Sequence, residues 1–399
     1  MRLRHGLVTD YRSDAGVFRS VTQRVWFGVL LVVAVYLGGG GRFWHFREGF
    51  VPLSSEMMIL LVYALFASIG ALGLNIVTGM GGQVSLGHAF FLGLGAYTAA
   101  ILGGVEATRP AVDAVTGQQI TEVVLRGYGL DMIVWLPAAG LVAALAGLIV
   151  APVATRLRGL YLAFVTLGLV FLGEHIFREA KTLTGGAGNG RPTAEARLFG
   201  FSLDDDGEVL GIWLTGKQKL FFLGLILLLV LGLAAKNLFR SRVGRALAAI
   251  RDRDIAAEMM GIPLARYKLI AFTVSSFYAG VAGALYWQVV GRLTAEGFSF
   301  LLSIKYIAMI LIGGVATVSG SIMGAFFIVF LPKVVELLAG LPGLSHVISK
   351  DPMGMLNTGQ FEQILFGLFI VGFLILEPMG MYGIWIRVRN YWKGWPFSY

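Results

Sequence analysis

Apolar residues in this chain come in runs of about twenty, broken by short polar stretches. A run of that length is what a helix needs to cross the hydrocarbon of a bilayer. Candidate spans fall at 25–40, 57–77, 84–104, 131–155, 159–177, 219–236, 268–290, 301–318, 320–339 and 361–378. The first is short, and a Thr/Ser/Gly stretch alone separates the eighth from the ninth. The pattern predicts an all-α integral membrane protein of about ten transmembrane helices.

Ten spans put both termini on one side. Split five and five, the two halves enter the membrane from opposite sides, the inverted-topology arrangement of many transporters. The expected units are an N-terminal tail over 1–24, a first half over 25–178, an external loop over 179–218, a second half over 219–386 and a C-terminal tail over 387–399. Within the second half, the loop at 241–262 reads as cytoplasmic.

Composition agrees with the pattern: 57% of residues are hydrophobic and 14% charged, against about 25% charged in soluble domains. The net charge of +9 reads as basic cytoplasmic loops rather than a nucleic-acid footprint. Placing 1–24, 156–158, 236–268 and 387–399 inside gathers 18 of the 32 Lys and Arg there, with 5 of the 23 acids. This bias puts both termini in the cytoplasm of a bacterial or archaeal cell. Arg2, Arg4, Arg12, Arg19 and Arg24 precede a first span with no small-residue cleavage site, so that span reads as retained. With no cysteine, no GxxxxGK[ST] phosphate loop and no HExxH, no catalytic residue, metal ligand or ATPase motif can be named.

Two segments carry candidate function. In 72–97, Gly79, Gly81 and Gly82 would break a helix in the middle of apolar sequence, and Asn75, Thr78, Gln83, Ser85 and His88 add polar groups. Interrupted helices expose backbone N–H groups to a cavity, so Asn75, Thr78, Gly81, Gly82, Gln83, Ser85 and His88, with Glu174 of the fifth span, are candidates for a translocation path. Close helix packing through the glycines is the competing reading. The second segment, 241–261, reads as one short helix from Ser241–Gly244 to a stop at Gly261-Ile262-Pro263. Ala246, Leu247, Ile250, Ile255, Met259 and Met260 supply its apolar face, and Arg245, Arg251, Asp252, Arg253 and Asp254 its polar one. Such a helix either docks in a partner's groove or anchors in the headgroups. Lys305 lies near the outer end of its span, where snorkelling is expected.

GLNIVTGMGGQVSLGHAFFLGLGAYTAA resembles the N-terminal signature of the permeases of branched-chain amino-acid ABC importers, the LivM/LivH group. YLAFVTLGLVFLGE, LTGGAGNG, SRVGRALAAIRDRDIAAEMMGI with YKLIAFTVSSFYAGVAGALY, and IAMILIGGVATVSGSIMGA follow in the family's order, from Leu72 to Ala325. The resemblance implies a heteromeric importer embedded in lipid: this chain, a second permease, two cytoplasmic ATPases that carry ATP and magnesium, and an external solute-binding protein. It makes 241–261 the loop that couples the ATPases to the permease. Ala256, Ala257 and Gly261 match the EAAxxxG signature of importer permeases, with Ile255 in place of the Glu, and Glu258 falls inside the motif. Close relatives in the family carry urea or short amides, which remains an alternative. An ion-coupled transporter or channel is an alternative of another class, disfavoured by the scarcity of charged residues at mid-membrane.

Overall fold

A backbone in hydrocarbon must pair its own N–H and C=O groups, so each long apolar run becomes a helix. The computed structural model describes residues 21–39, 54–112, 119–157, 159–186, 190–209, 212–339 and 357–394. Arg2, Arg4, Arg12 and Arg19, the outer ends of both tails and residues 187–189 of the TLTGGAGNG stretch lie outside the described residues.

The first half comprises α1 (Val21–Gly39), α2 (Ser55–Leu74), α3 (His88–Gly103), α4 (Met132–Arg156) and α5 (Leu160–Glu179). The second comprises α6 (Gly216–Arg240), α7 (Arg242–Asp252), α8 (Asp254–Met259), α9 (Leu264–Val290), α10 (Phe300–Gly313), α11 (Val318–Ala339), α12 (Thr358–Leu376) and α13 (Gly380–Gly394). Among the described residues seven helices are long and apolar enough to span a bilayer, and the apolar stretches of α1, α3 and α10 are shorter. Side-chain caps mark several starts. Ser54 Oγ accepts from Met57 N, and reciprocal capping boxes of Thr215 with Gln218 and of Asn357 with Gln360 open α6 and α12.

α2 and α9 form the centre. α9 packs on α2, α3 and α4, while α11 and α6 pack on α2. The inner surface of α9 is small, with Ser275, Ser276, Ala279, Gly280, Ala282 and Gly283 all buried. Backbones therefore meet directly: a Cβ on Gly283 would fall 2.0 Å from Leu92 O, one on Gly280 2.5 Å from Ala139 O, and one on Gly95 2.2 Å from Gly280 O. This is the close small-residue packing available to helices in lipid. At the periphery, α4 and α5 turn Leu145, Ile149, Phe164 and Phe171 outward, and α12 buries none of its residues. Lys305 of α10 pairs with Glu362 of α12 at 3.7 Å, and Lys333 of α11 with Glu56 at 3.1 Å, so both spans hold their charges in ion pairs.

The loops between spans carry short antiparallel pairings: β1 (Ala107–Val112) with β2 (Gln119–Leu125), β3 (Arg191–Pro192) with β8 (Arg292–Leu293), β4 (Arg197–Leu198) with β5 (Phe201–Ser202), and β6 (Gly207–Val209) with β7 (Ile212–Leu214). Arg191 is 1% exposed and ties three pieces together. Its Nη1 donates to Leu183 O at 2.7 Å, and its Nη2 to Ala100 O at 2.7 Å and to Arg126 O.

Two expectations need correction. The run at 84–104 is not one helix, because α3 starts only at His88 and the residues before it are extended. The segment 241–261 is two helices rather than one, broken where Arg253 adopts an extended φ of −157°.

Candidate functional site

The glycines at 79–82 do interrupt a helix. Past Leu74 the winding of α2 widens into a π-turn over Asn75–Met80, and Gln83 N donates back to Val77 O at 3.1 Å to close it. Turns of this kind are common at functional sites. Gly82 follows in the left-handed region at φ +64°, where a residue with a Cβ is strained. The chain then runs extended to Gly87, with Gln83, Ser85 and Gly87 buried and Val84 exposed.

Irregular backbone that is buried must find partners within the protein. Leu86 N donates to Thr166 Oγ1 at 2.9 Å, Gly87 N to Ser85 Oγ at 3.4 Å and Ala89 N to Ser303 Oγ at 3.0 Å. His88 opens α3 fully buried, its ring 4.9 Å from that of Tyr306.

Asn75 locks the π-turn to the far half of the chain. Its Nδ2 donates to Thr317 O at 2.9 Å and to Ser321 Oγ at 2.7 Å, and its Oδ1 accepts from Ala316 N at 2.8 Å. The side chain is 0% exposed and engaged on both of its polar atoms.

The basic segment begins with Ser241, whose Oγ accepts from Val243 N and Gly244 N. It ends as a glycine-capped helix should. Gly261 sits at φ +81°, its N–H bonds Glu258 O at 2.9 Å, and Ile262 N bonds Ala257 O at 3.1 Å. Its apolar face is divided rather than continuous. Ala246, Leu247, Ile250 and Ala257 are buried against the bundle, while Ile255, Met259 and Met260 are 62%, 85% and 84% exposed. The break at Arg253 rotates the second helix so that its large side chains point away from the protein.

The two candidate segments meet. Arg251 Nη1 donates to Gly79 O at 3.2 Å. Gly82 lies against the same residue, and a Cβ there would come within 3.0 Å of Arg251 Cα. Asp252 Oδ1 holds the guanidinium from the other side at 3.1 Å. Between the segments lies a cleft of about 210 Å³, closed by the start of α5 and by Lys268 of α9.

The structure thus gathers Gly81, Gly82, Gln83, Arg251, Asp252, Arg253 and Asp254 around one cleft. Thr78 lies in the adjoining π-turn. Arg245 points its guanidinium back onto Arg240 O at 2.9 Å, and Ala256 and Glu258 are exposed on α8. Glu174 is not part of the group. It lies near the other end of α5, paired with Arg178 at 2.9 Å. Sequence reasoning missed Thr166 and Ser303, and it read the stretch at 312–324 that holds Thr317 and Ser321 as a turn or helix packing without pairing it with the broken helix. Small hydroxyl residues inside apolar spans were the available signal.

The family model for the permease component of branched-chain amino acid transport systems matches residues 57–374. The chain is 30% identical to the high-affinity branched-chain amino acid transport system permease protein LivM of Salmonella typhimurium, over 91% of this chain and 75% of that one. It is 24% identical to a probable branched-chain amino acid transport permease protein LivH of Methanocaldococcus jannaschii, over 69% and 83% of the two chains. It is 22% identical to BraD of Pseudomonas aeruginosa, a permease protein of the same transport class, over 80% and 91%. No solved structure matches the chain significantly. A multi-pass bundle with the signature glycines at its break, matched along most of its length, belongs to the permease family of branched-chain amino acid ABC importers.

Proposed function

We propose that this permease imports branched-chain or similar apolar amino acids as one half of a translocation path, with a second permease as the other half. Two separate cytoplasmic ATPases bind ATP and magnesium and drive alternating access, and an external binding protein delivers the solute. The end of the bundle that carries the basic segment faces the cytoplasm, together with both termini. Urea or a short amide is the alternative cargo, since a neutral solute needs no charged lining.

The observation that carries this reading is the seating of the basic segment directly on the broken helix. Ile255, Met259 and Met260 offer an apolar ridge to a partner groove, the helix-in-groove mode of docking. Arg251, one turn away, grips Gly79 O. A partner that closes on the ridge pulls on the backbone of the π-turn. The π-turn is bonded through Asn75 to the turn between α10 and α11, so both halves feel the pull.

The test is affinity purification of the tagged chain in mild detergent, with mass spectrometry of its companions, repeated with Met259→Glu and Met260→Glu. Two ATPases and a second permease should co-purify, and the substitutions should remove the ATPases while keeping the permease. A chain that purifies alone overturns the reading.

A further inference from the structure

The last helix, α13, follows the last span, α12, after a break at Glu377-Pro378-Met379. Ile384, Trp385, Val388, Tyr391 and Trp392 recur at helical spacing and share one face of it. All five are exposed, from 42% to 71%. The other side holds the protein: Gly383 is buried, and Tyr382 and Ile386 are half-buried. From 377 to 399 the sequence carries Arg387, Arg389 and Lys393 against a single acid, Glu377, which pairs with Arg387. The segment is therefore a basic amphipathic helix with an aromatic apolar face.

A protein groove or a bilayer surface can cover such a face, and composition separates the two. Trp and Tyr join an apolar body to a polar edge and gather where hydrocarbon meets water. A Trp/Tyr face beside excess positive charge suits a helix lying in the headgroup plane of an anionic leaflet. The exposed ridge of α8 differs: Ile255, Met259 and Met260 include no aromatic, and methionine suits an adaptable protein groove. Position agrees with composition. α13 continues directly from α12, a span that buries none of its residues.

We propose that α13 lies in the headgroup layer on the side of the basic segment and binds anionic phospholipid there. Its start belongs to that end of the bundle. A Cβ on Gly380 would fall 2.6 Å from Ile312 O, and one on Gly314 2.9 Å from Met379 O, so the main chain of α13 rests on the turn between α10 and α11. Asn75 bonds the same turn at Ala316 and Thr317, and Arg251 bonds Gly79 O in the π-turn that Asn75 opens. A helix held in the headgroup layer fixes the depth of this turn, so import depends on anionic lipid. That dependence rests on the importer reading above. The lipid contact does not.

The chain has no cysteine, so a single introduced one takes a unique label. Val388→Cys on the apolar face and Asn390→Cys off it are labelled with a nitrobenzoxadiazole dye, in the full chain in nanodiscs without ATPases. Nitroxide-labelled lipid should quench the dye at 388 and spare the dye at 390. Phosphatidylglycerol should half-quench the first at a lower mole fraction than phosphatidylcholine. Arg389→Gln should raise that fraction about fivefold, the worth of one basic residue near an anionic surface. Salt at about 1 M should erase the difference between the two lipids. A dye at 388 that stays in water, or that protein shields from both lipids, overturns the proposal. So does equal quenching by the two lipids, or a preference that neither Arg389→Gln nor salt reduces.

The dependence is tested on the complete transporter in liposomes. Uptake should fall as phosphatidylcholine replaces phosphatidylglycerol, and Arg389→Gln should need more of the anionic lipid to reach the parent's rate. The same lipid dependence in both overturns the regulatory step. Quenching at 388 in a chain that recruits no ATPases would sink the importer reading and leave the lipid site standing. An active importer with an unquenched dye at 388 would do the reverse.

Discussion

The guanidinium of Arg251 and the carbonyl of Gly79 meet at 3.2 Å, although 172 residues separate them in the chain. One belongs to the basic segment with its exposed Ile255, Met259 and Met260, the other to the π-turn of the broken helix. Arg251→Gln shortens the donor arm and removes its charge, while Ile255, Met259 and Met260 stay in place. ATPase subunits should still co-purify and still hydrolyse ATP. Solute uptake should fall by about tenfold, the worth of one charge-assisted hydrogen bond. The ratio of uptake to hydrolysis in liposomes is the readout, and an unchanged ratio would show that Arg251 transmits nothing.

Asn75 makes a sharper stability prediction. In Asn75→Leu, the groups it served on Ala316, Thr317 and Ser321 lose a partner in a buried setting. Thr317 O and Ser321 Oγ keep their bond to each other, so the cost falls mainly on Ala316 N, at about 1–3 kcal/mol for one orphaned buried group. Asn75→Asp can still accept from Ala316 N, but it sets a carboxyl in a fully buried site against Thr317 O, so it too should melt below the parent. Melting temperatures of the three proteins in detergent are the check. A Leu variant as stable as the parent would refute the role of Asn75 as the joint between the halves.

Glycine positions divide into two classes that substitution will separate. Gly283→Leu drives a side chain into Leu92 O, and such overpacking costs typically 1–3 kcal/mol and here more, because backbone is struck. Gly168 of α5 meets nothing within 4 Å, so Gly168→Leu should leave yield and monodispersity unchanged. Size-exclusion profiles of the two variants are the check, and similar profiles would contradict the close packing of α3 on α9.

The loop between β5 and β6 has a pH signature. Burial raises the Asp204 carboxyl above its ordinary 3.8, and the neighbouring Asp205 and Glu195 charges push the same way, against a hydrogen bond from Ala196 N. The residue as a whole is exposed, but Oδ2 turns inward onto that N–H at 2.9 Å. A carboxyl raised by folding holds its proton more tightly in the folded state. Its contribution is therefore full below 3.8 and is lost as pH climbs through the raised value. Asp204→Asn keeps an acceptor for Ala196 N without the charge. Its stability relative to the parent should improve from acid to neutral pH, in melts followed over that range. A constant difference would refute the assignment.

Much of this was legible in the sequence, and the limits have physical reasons. The spans could be read because hydrocarbon demands length and apolarity together. The break near Gly79–Gly82 could be read because consecutive glycines rarely continue a helix. That the chain stays extended to Gly87 could not, because its amides are satisfied by Thr166 and Ser303, on spans distant in sequence. Asn75 read as a polar residue for a path. Its partners at 316–321 made it a joint instead, and no local pattern announces a partner more than 240 residues away. The amphipathic segment was recognised, but its division was not: Arg253 carries no turn signal, so one continuous apolar face was expected. The burial of Ile250 and the exposure of Met259 follow from that one residue.

The glycine contacts of α9 have a mechanical meaning. With 27 residues at ~1.5 Å each, the helix is about 40 Å long and reaches from the basic segment to the far end of the bundle. Around Gly280 and Gly283 it touches α3 and α4 main chain to main chain, and the side chains of Ser276, Phe277 and Val281 seat on Gly147 and Gly140 of α4. Three such helices behave as a stiff beam. A tilt imposed near Leu264 is carried toward Val290, and the spans free to give are the outer ones such as α12, which buries none of its residues.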